Sequence, residues 1–300
     1  MRESCRRCRV SWPTLLLPVF TALIGCQSAN DVPGSEISTE EVQRQVDAAR
    51  TRLDASDGGR AVLRAIDAHG GLAAWYRAPT SSYTWEYANV RADLQFKSFL
   101  VADNRTRRVY HDLISIGSYG EPKPVAARFA WDGTDAWIYP DSIEQVNPRF
   151  WATSGYYFEQ IPFVLADPGV HYELLADEPL DGAPHEMVRI SFDEGVGEAP
   201  GDTYTLYLNK ETGMVEAIRY TVTFFGGPDP GTPPRETLFY YEDYATVDGL
   251  TVPTHFRGYS FANGQRGEFG NEAWADSISF RRPFDASRLV APGRSEPPGT

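Results

Sequence analysis

The chain has 300 residues, with 28 Lys and Arg against 41 Asp and Glu, a net charge of −13. That balance excludes the basic footprint that nucleic-acid binding needs, and it argues against docking on anionic lipid through surface charge. Its 3 cysteines, Cys5, Cys8 and Cys26, all stand near the N-terminus. Neither a disulfide framework nor a thiolate metal site is therefore expected in the rest of the chain.

Arg2, Arg6, Arg7 and Arg9 precede an apolar run from Trp12 to Ile24, which Gly25 and Cys26 close. A basic start, a short apolar core and a small residue before the cut read as a secretory signal. The run is shorter than the roughly 20 residues that span a bilayer. Leu23-Ile24-Gly25-Cys26 resembles the lipobox of bacterial lipoproteins. That resemblance implies cleavage before Cys26, acylation of its thiol and new N-terminus, and a permanent anchor, since two or more acyl chains hold stably. Gln27 stands where Asp would favour the inner membrane, so an outer-membrane location facing the periplasm is expected. Four arginines and one glutamate leave with residues 1–25, which makes the mature chain −16.

Residues 26–37 read as the lipidated cysteine and a tether, polar and interrupted by Pro33-Gly34. Ser38 and Glu41 have capping-box spacing, and Val42, Val46, Ala49 and Leu53 recur at helical spacing. A second helix is predicted over 59–68, with Val62, Leu63 and Ile66 on one face. His69-Gly70-Gly71 ends it, and Leu72 to Tyr76 adds another turn.

From Ser81 the period changes to two. Tyr83, Trp85 and Tyr87 alternate, and Leu94, Phe96 and Leu100 share a face of the next run. Arg128–Trp131 and Ala136–Tyr139 flank Asp132-Gly133, which suits a tight primed turn. Tyr204, Leu206 and Leu208 lead into a turn at Asn209–Gly213, and Ile218 to Phe224 continue beyond it. Leu238–Tyr244 and Leu250–Phe256 flank Asp248-Gly249, and 268–280 forms the last strand. The pattern predicts an antiparallel meander of about ten or eleven strands. Two stretches interrupt it: the aromatic segment from Pro148 to Pro168, read as a helical insertion, and the Pro/Gly loop from Gly226 to Pro234. The folded domain is expected over 38–290 and a disordered tail over 291–300, with no repeat and no second domain boundary.

Several motifs fail. His185-Glu186 opens like a zincin helix, but the fifth position is Arg189. Ser118, between Gly117 and Gly120, lacks the strand–turn–helix of a nucleophile elbow. His111 and Asp112 are adjacent in a strand and face opposite ways. The acidic loop from Asp193 to Asp202 lacks the order of a calcium loop. His69, at a helix C-terminus where the dipole favours a cation, and His255, beside Phe256 on a strand, are read as structural. No cofactor and no metal is expected.

Four sets of residues carry a resemblance. They are Ala68-His69-Gly70-Gly71-Leu72 with Trp75; Trp131-Asp132-Gly133; Tyr156-Tyr157-Phe158 through Pro162-Phe163 to Leu165-Ala166-Asp167-Pro168-Gly169; and Asp243-Tyr244 through Asp248-Gly249-Leu250 to Pro253. With the helix pair, meander and insertion, they resemble the LolA/LolB-like lipoprotein-carrier superfamily, and within it a family of uncharacterised bacterial lipoproteins. The resemblance implies a half-closed β-barrel whose helical lid covers an apolar cavity for acyl chains. A lipid-anchored chain fits a fixed acceptor better than a soluble shuttle.

The expected ligand-binding set is therefore aromatic: Tyr83, Trp85, Tyr87, Phe96, Trp137 and Tyr220 from strands, with Phe150, Trp151, Tyr157, Phe158 and Phe163 from the insertion. The predicted function is non-catalytic binding of an acyl lipid or lipoprotein by an anchored monomer. Two alternatives stand beside it: an interaction scaffold whose aromatics simply fill the core, and a hydrolase using His69 or His255 with a carboxylate.

Overall fold

The computed structural model describes residues 37–194, 196, 201–226 and 235–293. The signal and lipobox, most of the tether, much of the 193–202 loop, residues 227–234 and the end of the tail lie outside these described residues.

Helix α1 (Thr39–Leu53) starts where its cap predicts: the Ser38 Oγ accepts from the Glu41 N–H at 3.2 Å. Val42, Val46, Ala49 and Leu53 are its buried stripe. In α2 (Asp57–Ala68) Ser56 caps Gly59 N at 3.0 Å, and α3 (Leu72–Arg77) follows after Gly70 and Gly71, both at positive φ.

Twelve antiparallel strands follow: β1 (Thr80–Asn89), β2 (Leu94–Asp103), β3 (Val109–Gly117), β4 (Lys123–Trp131), β5 (Ala136–Tyr139), β6 (Val170–Leu180), β7 (Ala183–Phe192), β8 (Tyr204–Asn209), β9 (Val215–Thr221), β10 (Glu236–Val247), β11 (Leu250–Ala262) and β12 (Gln265–Ser279). They form one sheet in the order β5-β4-β3-β2-β1-β12-β11-β10-β9-β8-β7-β6. The antiparallel meander expected, of about ten or eleven strands, is present with twelve among the described residues.

The Asp248-Gly249 hairpin is the two-residue turn expected, with Val247 opposite Leu250 and φ of 54° and 90° at its centre. The β4–β5 connection corrects the expectation of a tight primed turn. Trp131 pairs with Ala136 across four residues, and the Asp132 carboxylate accepts from the N–H groups of Thr134 and Asp135.

The sheet does not close. Its edges are β5 and β6, and the chain between them runs through α4 (Pro148–Glu159) and a 3₁₀ turn over Phe163–Ala166. Asn147 caps α4 by accepting from Phe150 N at 3.2 Å, with Pro148 in the first turn. The helical insertion thus joins the two open edges, packing on β3, β4, β5 and β11, while α2 packs on β6 and β7. One core fills the concave side, made of the stripes of α1–α3, the insertion and the inner faces of the strands. Alternate residues of the same strands face outward. Two smaller apolar clusters lie apart from that core, one around Met187, Tyr207 and Tyr240, the other around Val101, Tyr110 and Ala130.

Candidate functional site

The concave face is lined with aromatic rings in two connected groups. Trp85 of β1 meets Phe256 of β11 at 5.3 Å between centroids, and Phe256 stacks on Phe239 of β10 at 5.3 Å. Phe158 of α4 touches Phe239 at 5.5 Å and Tyr220 of β9 at 4.8 Å. Tyr220 stacks on Tyr204 of β8, which also meets Phe192 and Tyr157. At the N-terminal end of α4, Trp151 contacts Tyr87 at 4.7 Å and Phe96 at 5.0 Å. Phe150 continues the chain to Phe224 and Phe225, and Phe225 is 67 % exposed. The wall therefore runs from the interior to solvent at this end.

Ten of the eleven aromatics expected from the sequence stand in or against this wall. Tyr83, Trp85, Phe96, Phe163 and Tyr220 are buried in the main core, and Tyr87, Trp151, Tyr157 and Phe158 pack against it half-buried. Phe150 sits at the exposed end. Trp137 is elsewhere: it joins Val101, Tyr110, Ala130 and Leu289, and its indole N–H donates to the Leu289 carbonyl at 2.6 Å. One residue of register decides this, because neighbouring Ile138 is the β5 side chain that meets the main core. Phe192, Tyr204, Phe239, Tyr241, Phe256 and the Phe224-Phe225 pair were not singled out. Most lie in alternating strands, but alternation does not say which face turns inward.

Polar pegs hold the insertion onto this wall. The buried His111 of β3 approaches the Ala152 carbonyl through Nε2 at 2.9 Å and the Ser98 hydroxyl through Nδ1 at 3.0 Å. Burial lowers its pKa to about 4, so the neutral ring donates from Nε2 and accepts at Nδ1. The Tyr241 hydroxyl donates to the Phe158 carbonyl at 2.7 Å, one of the orphan acceptors of a helix end. Arg107, in the β2–β3 loop, makes two bonds to Asp167 at 2.7 and 2.6 Å and a third to the Tyr156 hydroxyl. The Asp167 carboxylate and the Tyr156 hydroxyl keep that guanidinium charged against the cost of burial.

His69 is not the cation that a helix C-terminus favours. It is fully buried, with Nδ1 2.7 Å from the Thr251 carbonyl and Nε2 accepting from Val215 N at 3.2 Å. Burial lowers its pKa to about 4, so desolvation outweighs the helix dipole. Both nitrogens are occupied. His255 lies on the opposite face of the sheet, stacked on Trp274 and bonded to Glu272 at 2.7 Å. The two histidines share no cleft, and the described residues hold no cluster of His, Cys, Asp and Glu suited to a metal. Ser118 bonds Asp93 in an exposed loop. No described helix is long and apolar enough to cross a membrane. A surface cleft of about 230 Å³ between α2 and the Asn209–Gly213 turn is polar, bridged by Arg64 and Glu186 at 2.7 Å, and is separate from the aromatic wall.

An open antiparallel sheet with helices on its concave side defines a half-open barrel with a helical lid. That is the fold of a LolA superfamily protein from Nitrosomonas europaea, which aligns with 79 % of this chain and 99 % of its own at a TM-score of 0.50 and 10 % identity. A DUF1329 family protein from Desulfovibrio piger covers 83 % of this chain and 97 % of its own, at 0.40 and 12 %. An outer membrane lipoprotein-sorting protein domain from Vibrio parahaemolyticus covers the same shares, at 0.37 and 10 %. No protein-family model matches the sequence, and no curated protein matches it.

Proposed function

We propose that the chain is a lipid-anchored envelope protein that holds an acyl chain of a lipid or lipoprotein against its concave aromatic wall, without covalent chemistry. The observation that carries this reading is the aromatic lining of the concave side, one group of rings around Trp85 and Phe256 and a second from Phe96 to exposed Phe225, covered by an insertion that bridges the two open edges of the sheet. Each methylene moved from water onto such a surface is worth about 0.8 kcal/mol, so a partly enclosed chain binds usefully. Anchoring through Cys26 at the outer membrane, facing the periplasm, suits a fixed acceptor.

Native mass spectrometry on residues from Ser38 onward, which include every described helix and strand, tests the reading. A stoichiometric, non-covalent acyl lipid is the expected result. One observation favours a second reading: Tyr83, Trp85, Phe96 and Phe163 pack on their neighbours with almost no exposure. A protein that stays apo after incubation with envelope lipids would replace the carrier with a scaffold whose aromatics fill its core.

A further inference from the structure

Beneath the lid, four polar side chains stand buried without full satisfaction. Glu159, the last residue of α4, is 0 % exposed. Its Oε2 accepts from the Gln160 amide, while its Oε1 and the Gln160 Oε1 meet no donor among the described residues. The Tyr83 hydroxyl and the Trp85 indole N–H, both on β1, also lack a partner.

These groups converge. The Tyr83 and Trp85 rings lie 6.1 Å apart. The indole N–H edge packs on α4 at Gly155, where an added β-carbon would sit 3.1 Å from Nε1. Gly155 lies one helical turn before Glu159, on the same face. The carboxyl also lies within electrostatic reach of the Tyr83 and Tyr241 phenols. Each unpaired buried polar group costs stability, so a cluster drawn from two elements that meet across the lid calls for a ligand.

We infer that Glu159, Gln160, Tyr83 and Trp85 form a polar seat for the uncharged, hydrogen-bonding head of an acyl lipid, with the tail running out past Tyr87 and Trp151 to Phe150. This rests on the acyl-binding reading above. Burial holds the Glu159 carboxyl well above its ordinary range, in the protonated form. The seat then offers O–H donors from Glu159 and Tyr83, an N–H from Trp85 and an acceptor at Gln160. An ester carbonyl with a neighbouring hydroxyl, as in an acylglycerol, matches that set. A phosphate head does not, because none of the four groups carries a positive charge to offset the cost of burying its anion.

The test uses the processed full chain in a sugar detergent and two lipids with one tail, monopalmitoylglycerol and its phosphate ester. Tyr83→Phe and Trp85→Phe each keep an aromatic ring and remove one donor. Wild type should prefer the neutral lipid by about tenfold or more. Each variant should lose about three- to tenfold of affinity for the neutral lipid only, the weight of one hydrogen bond. Should Trp85→Phe fail to fold, Tyr83→Phe, which deletes a single oxygen, carries the test. Equal binding of both lipids by wild type and variants overturns the seat and leaves acyl binding standing. A preference for the phosphate overturns it too. If wild type binds neither lipid, both readings fall.

Discussion

A β-carbon on Gly70 would lie 2.2 Å from the carbonyl oxygen of Gly249. Here two of the sequence motifs meet: Thr251 N donates to the His69 carbonyl at 2.7 Å, and the His69 ring returns a bond to the Thr251 carbonyl. Gly70 also sits at a φ of +119°, which L side chains avoid. Gly70→Ala should therefore cost on the order of 3 kcal/mol, from strain and overlap together. Urea unfolding would measure it, and a loss under about 0.5 kcal/mol would mean the two turns do not touch in solution.

Acid should loosen the lid and the helix–sheet junction. His69 and His111 titrate near pH 4 when folded, against the ordinary 6.5, because burial disfavours the charged ring. Between those values the unfolded chain binds protons that the folded chain refuses. Stability is then full above pH 6.5 and falls as pH drops toward 4, by roughly 3 kcal/mol per ring. A flat unfolding free energy over that window would contradict the neutral, buried rings.

Glu159 has the opposite sign. Its folded pKa is raised, so its contribution is intact below the unfolded value near 4.5 and declines as pH rises toward the folded one. Glu159→Gln removes that dependence. The variant should melt higher than wild type at neutral pH, with a margin that widens upward from about pH 4.5. A constant margin across pH would place the carboxylate in water.

Arg107 ties the β2–β3 loop to Tyr156 and Asp167, at the two ends of the insertion's packed half. Its side chain keeps about a quarter of its exposure, so Arg107→Ala should cost about 2–3 kcal/mol, less than a fully buried pair. The informative readout is local. Amide exchange over 148–166 should accelerate while the central strands β1, β12 and β11 stay protected. Uniform acceleration would make Arg107 a general stabiliser with no particular hold on the lid.

Trp151 touches Tyr87, Phe96 and Phe150 while remaining half-buried. Trp151→Asp should abolish retention of an acyl lipid and leave the far-UV spectrum of the sheet in place. Unchanged lipid retention would remove the N-terminal half of α4 from the binding surface.

Much of this molecule was legible because its signals are local. Ser38 and Glu41 define a helix start by chemistry within four residues, and Asp248-Gly249 defines a hairpin by φ alone. Tyr83, Trp85 and Tyr87 announce a strand with one shared aromatic face by period. What stayed hidden depends on partners far along the chain. Glu159 reads as an ordinary polar helix residue until α4 lies on Tyr83. Arg107 and Asp167 carry no spacing that pairs them, and the orientation of Trp137 turns on edge-strand register. His69 stands at a helix end as its sequence position predicts, but its charge is set by burial among Phe163, Tyr244, Val215 and Thr251, far along the chain.

The strand that carries Tyr83 and Trp85 pairs on one side with β2, its neighbour in sequence, and on the other with β12, where Ser82 faces Ser279. The first strand of the meander thus waits for the last. A chain emerging N-terminus first displays the aromatic face of β1 beside an unsatisfied edge until nearly all of the domain has followed. Such long-range pairing is slow to form and leaves a sticky edge exposed meanwhile. The vulnerable moment in the life of this protein is its emergence, and mutations in β12 should show themselves first as lost yield.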